Sequence, residues 1–148
     1  MRRAFTMIEL VFVIVILGIL ASAAIPKLAA TRDDAEVAAG TQRLASLVND
    51  IGSYYTSKGY FDSNVSKMSN IELLDNTKNR FSGNFTNTEA FFGNTARSKL
   101  CLGVKVDDIN GTLTVRDLSD NSAYCKSLVK VTQDFIKVHK FGGSAIYE

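Results

Sequence analysis

Phe5-Thr6-Met7-Ile8-Glu9-Leu10 stands directly after Met1-Arg2-Arg3-Ala4 and directly before a long apolar run. Leu10 to Ile25 carries no charged residue, and most of its members are Val, Ile, Leu or Phe. Two arginines ahead of such a run form a membrane-insertion signal, with the basic end cytoplasmic and everything beyond the run exported. As a helix, residues 5–25 would reach about 31 Å at about 1.5 Å per residue. That is close to the thickness of the hydrocarbon layer.

Glu9 is the residue that does not fit an ordinary anchor. A carboxylate inside hydrocarbon costs about 2.5–3.5 kcal/mol on insertion scales, and such groups usually have a function. A carboxylate at headgroup level would merely favour the start of the helix through the helix dipole. Ala21-Ser22-Ala23 also fits the small-x-small pattern of ordinary signal peptidase. Cleavage near Ala23 would release a soluble periplasmic binding domain. Glu9, the length of the run and a helical pattern that continues past Ala23 all oppose that reading.

The string from Phe5 to Leu10, the basic leader, the apolar run, the small residues Ala21 to Ala24 and Pro26 together resemble the N-terminus of type IV pilins and type II secretion pseudopilins. The resemblance covers about the first 55 residues. It implies cleavage between Ala4 and Phe5 by a membrane prepilin peptidase and methylation of the new Phe5 amine. It also implies a structural subunit that is no enzyme, held in the bacterial inner membrane by a single pass with its head in the periplasm. Such a subunit enters a helical filament through an inner-membrane assembly platform, with copies of itself and related minor pilins or pseudopilins. The residue before the cut is usually Gly, and here it is the small Ala4. Loss of Arg2 and Arg3 with the leader lowers the side-chain charge from +2 to 0. The Phe5 ammonium of one subunit can then meet Glu9 of its neighbour. An unpaired carboxylate in low dielectric is penalised and a paired one is not, so Glu9 would set subunit register.

Pro26 lacks a donor and crowds the preceding turn, so a kink or local melting is expected there. Beyond it Val37, Thr41, Leu44, Val48, Ile51 and Tyr55 recur at spacings of 4, 3, 4, 3 and 4, one stripe of an amphipathic helix. A coiled-coil dimer would need a longer repeat. Gly59 ends the helix. Residues 60–99 are rich in Asn, Ser and Thr and read as loop, with one helical turn allowed over Ser69 to Leu74. Phe81, Phe85, Phe91 and Phe92 would pin that loop to the core. Leu100–Val106 and Thr112–Arg116 alternate as strands joined by the hairpin loop of residues 107–111. Val129–Val138 permits strand or helix. The expected fold is α+β: a long N-terminal helix, membrane-spanning in its first half, packed on a small antiparallel sheet. The chain divides into a leader (1–4), a transmembrane and filament-core helix (5–25), an amphipathic stem (26–58) and a periplasmic head (59–148).

Two cysteines in an exported domain, Cys101 and Cys125, predict a disulfide. Asp107, Asp108 and Asn110 offer oxygen ligands of the kind calcium takes, as in the heads of some relatives. Calcium needs about 6–8 such ligands and the loop lacks EF-hand spacing, so a plain turn is favoured and no cofactor is required. Asp62-Ser63-Asn64-Val65-Ser66 and Asp108-Ile109-Asn110-Gly111-Thr112 match the extended bacterial N-glycosylation sequon, with an acid two residues before Asn. His139, the sole histidine, has no Cys or second His at metal spacing and reads as a surface residue. No nucleophile–base–acid set can be assembled, and no cationic run marks a nucleic-acid partner.

Overall fold

The computed structural model describes residues 5–94, 99–118 and 120–142, with the backbone alone at Pro26, Ala29 and Ala30. Ala4, on the leader side of the expected cut, lies outside these residues. Helix α1 runs from Met7 to Lys58 without interruption, through Pro26, so the backbone does not unwind there. It stops where glycine allows it. Gly59 takes φ +79°, and its N–H donates to Tyr55 O at 2.7 Å, a left-handed C-terminal cap.

The chain forms two compact units, Met1–Glu36 and Val37–Glu148, so the predicted stem is shared between them. In the first, Met7–Ile25 is long and apolar enough to cross a membrane, and none of it is buried within the chain. In the second, α1 residues Leu44, Leu47, Val48 and Ile51 pack into the core of the head. Leu47 extends the stripe foreseen in the sequence.

That core is closed by a four-stranded antiparallel meander, β1 (Ala90–Asn94), β2 (Lys99–Asp107), β3 (Thr112–Asp117) and β4 (Val138–Lys140), in the order β1-β2-β3-β4. Phe92, Leu102, Val104, Val106, Leu113 and Val115 are buried. Their alternation follows from the two-residue period of a half-buried strand. The β1–β2 register slips between Phe92 and Gly93. A side chain at Gly93 would run into the Lys99 carbonyl, so glycine permits the close approach.

Helix α2 (Ala123–Val131) begins at Ser122, whose Oγ accepts the Cys125 N–H at 3.3 Å. Its Tyr124 and Leu128 lie against Gly40 of α1. A Cβ there would come within 2.6 Å of Tyr124 Oη and 3.1 Å of Leu128 Cδ1.

Several expectations need correction. Ser69 to Leu74 is not helical; a turn of 3-10 helix lies earlier, at Val65–Lys67, and Leu74 bridges to Arg80 and Phe91. Phe91 and Phe92 sit in a strand rather than a loop, because their alternation finds a partner in β2. Residues 129–138 are neither one strand nor one helix: α2 ends at Val131, a 3-10 turn covers Gln133–Phe135, and β4 starts at Val138. His139 is half-buried rather than on the surface. Its Nε2 donates to Phe135 O at 2.9 Å, and its ring lies 6.4 Å from that of Phe141.

Candidate functional site

The helix start concentrates the chemistry. Thr6 precedes the first helical residue, and Glu9 stands three residues on. The Thr6 N–H and hydroxyl both donate to Glu9 Oε2, at 2.8 and 2.7 Å, and the Glu9 N–H donates back to Thr6 Oγ1 at 3.3 Å. This is a reciprocal capping box, which satisfies donors that a helix start otherwise leaves open. Within its own chain the Glu9 carboxylate is therefore partnered, by the residue next to the expected new N-terminus, Phe5. The local signal for this cap is in the sequence, unread above: Thr6-Met7-Ile8-Glu9 fits the S/T-x-x-E pattern ahead of an apolar run.

From Leu10 to Ile25 every residue is exposed, and apart from Ser22 the surface turned outward is apolar. Phe5 is 87% exposed, Phe12 66% and Leu20 61%. A soluble chain does not leave so long an apolar segment in water. The arrangement supplies one helix sheathed in hydrocarbon side chains, with a single carboxylate at its head.

In the head, Cys101 of β2 and Cys125 of α2 form a disulfide with their Cα atoms 5.0 Å apart. It ties α2 to the sheet next to the contact at Gly40. Both cysteines are buried.

The residues named as calcium candidates are engaged with the loop itself. Asp107 Oδ1 accepts the N–H groups of Ile109 and Asn110, at 3.0 and 3.2 Å, and Oδ2 accepts Asn110 Nδ2 at 2.7 Å. The Asn110 amide and these backbone donors hold the Asp107 carboxyl below the usual carboxylate range. Asp108 turns the other way and accepts the Phe61 N–H at 2.7 Å, pinning the hairpin to the segment after α1. Among the described residues, no three His, Cys, Asp or Glu side chains gather into a group that could hold a metal ion.

Asn64 and Asn110 are both exposed, but in different settings. Asn64 caps the 3-10 turn, its Oδ1 accepting the Ser66 N–H at 3.0 Å. Two residues earlier, Asp62 accepts the Asn64 N–H and the Lys67 ammonium, at 2.8 and 3.0 Å. These bonds, the backbone N–H first, lower its pKa.

No curated protein and no solved structure matched the chain. The family described as Prokaryotic N-terminal methylation motif matches residues 1–25. Proteins with that motif are structural rather than enzymatic, and a single N-terminal apolar helix fits a membrane-anchored, single-pass chain. The helix start built from Phe5, Thr6 and Glu9 lies inside the matched segment, and the chain thus carries the N-terminal signature of type IV pilins and pseudopilins.

Proposed function

We propose that this chain is a pilin or pseudopilin that assembles from the inner membrane into a helical filament, serving type II secretion or a type IV pilus. One observation carries the proposal. The methylation motif heads a helix whose residues 7–25 expose apolar surface throughout, with Glu9 as the one charge between Phe5 and Ile25. In the membrane, lipid covers that surface; in a filament, neighbouring helices do.

Processing between Ala4 and Phe5 creates an ammonium four residues before Glu9. In the free subunit Thr6 satisfies the carboxylate. On assembly the ammonium of an adjacent subunit competes for it, and charge–charge pairing in low dielectric outweighs the neutral hydroxyl bond. The same interaction fixes the axial position of one helix against the next. The small head and short disulfide loop favour a pseudopilin or minor pilin. Gene neighbours distinguish the systems: a secretin with secretion genes, or a retraction ATPase with pilus genes.

The test is intact-mass and N-terminal analysis of native protein from membranes. The expected chain starts at N-methyl-Phe5. A chain starting near Ala24 would establish release by ordinary signal peptidase and remove the filament reading.

A further inference from the structure

Two segments of this chain have the same pattern, an acid two residues before an Asn-x-Ser/Thr triplet, and the fold treats them differently. Around Asn110 the triplet is locked. Its amide Nδ2 donates to Asp107 at 2.7 Å, and Thr112 is 8% exposed, inside β3 and paired with Lys140. An enzyme that must reach both the amide and the hydroxyl two residues on cannot do so without opening the β2–β3 hairpin. Around Asn64 the triplet is open. Asn64 and Ser66 are both exposed, they lie outside the sheet, and only Val65 between them points into the core. The Asn64 Oδ1 accepts the Ser66 N–H, and among the described residues its Nδ2 has no acceptor. Asp62, whose own side chain is 13% exposed, pairs with Lys67, 63% exposed, and accepts the Asn64 N–H, so this acid has to turn out from these partners when an enzyme engages the segment. A third triplet is Asn84-Phe85-Thr86, whose Asn84 lines the same depression as Asn64. Ser82, not an acid, stands two residues before it, and its Thr86 hydroxyl is already bonded to Asn84 Oδ1 at 2.6 Å.

We propose that Asn64 is a site of N-linked glycosylation and that Asn110, despite the same sequence pattern, is not. The donor class is a polyprenyl-diphosphate-linked oligosaccharide. Asn64 Nδ2 attacks the anomeric carbon of the first sugar, an N–C bond forms and the C–O bond to the diphosphate breaks. The polyprenyl diphosphate leaves and the amide gives up one proton, so no oxidant or reductant is needed. The proposal rests on export of the head to the side of the membrane where such donors are used.

The experiment expresses the full chain in a bacterial host with an oligosaccharyltransferase and its lipid-linked donor. An unstructured copy of residues 62–66 is appended at the C-terminus, and peptides are mapped by mass spectrometry. The expected result is a glycan on the appended copy and on Asn64, with Asn110 bare. The Asn64 glycan should be lost in Asn64→Gln and in Ser66→Ala. A modified copy with bare Asn64 overturns the proposal while leaving export intact. Occupancy of Asn110 equal to that of Asn64 overturns it too, because the fold would then not be selecting the site. A bare copy together with free, alkylatable Cys101 and Cys125 means that the head is not exported, and both readings fall.

Discussion

Helix α1 has two kinds of surface, and they are satisfied in different ways. From Leu10 to Leu20 the large apolar side chains are 40–66% exposed. Leu44, Leu47 and Ile51 of the same helix are fully buried. The second group is covered by the chain's own sheet and α2. The first must be covered by something outside the chain, lipid or other helices. Apolar character alone therefore does not say what a helix packs against; the angular distribution does. An apolar surface all round calls for an apolar solvent, and a single stripe calls for one partner face.

The largest expected effect separates the two regions by function. Glu9→Ala should insert, fold and be cleaved, because the head makes no use of this carboxylate. It should then be depleted from filaments, because the neighbour's ammonium is left unpaired at about 3–5 kcal/mol, enough for a more than hundredfold drop. Comparison of membrane-pool and sheared-filament fractions reads this directly. Equal incorporation of the variant and the parent would break the register mechanism and leave the anchor standing.

The reverse experiment uses a matched pair of substitutions. Leu44→Ala should destabilise the head by about 2–5 kcal/mol, through lost burial and the cavity left behind. Leu17→Ala removes the same atoms from an exposed position and should leave head unfolding unchanged. Thermal or denaturant unfolding of the full chain in detergent, followed by near-ultraviolet dichroism, measures both. Similar losses for the two variants would mean that the halves are not energetically separate.

Cys101→Ser should cost the head about 3 kcal/mol by the loop-closure argument, for a bridge with a sequence separation of 24. Reduction of the parent should produce a similar loss, and reduction of the variant none. A variant as stable as the oxidised parent would show that packing of Tyr124 and Leu128 on Gly40 is sufficient to hold α2.

The smallest effect concerns the helix start. Thr6→Ala removes the hydroxyl that bonds Glu9 in both directions and should weaken the first turn by about 1 kcal/mol. Amide exchange at Met7 to Glu9 in micelles should quicken by roughly fivefold, with no change beyond Lys58. Unchanged exchange would mean that the capping box does not hold the first turn.

The long apolar helical segment, the amphipathic stripe from Val37 to Tyr55, the Gly59 stop, the β2–β3 hairpin and the cysteine pair were all legible in the sequence. Each rests on information local to the chain: a period sustained over several turns, a residue with special backbone freedom, or an even cysteine count. The capping box was local as well: Glu9 is at once a charge at the head of an apolar run and the third residue of a helix, and only the second role reveals the cap. Other features were not local. Ala90–Asn94 has too few residues to show a period, and it becomes a strand because β2 supplies hydrogen-bonding partners and α1 supplies an apolar surface for Phe92. The segment from Ala123 to Lys140 divides into helix, turn and edge strand because the disulfide and Gly40 hold α2 while β3 takes up Val138–Lys140. The two matching sequons are indistinguishable as text. Only tertiary structure makes one open and the other closed, since exposure depends on which distant segments come to lie over a residue, and no window of neighbouring residues contains that.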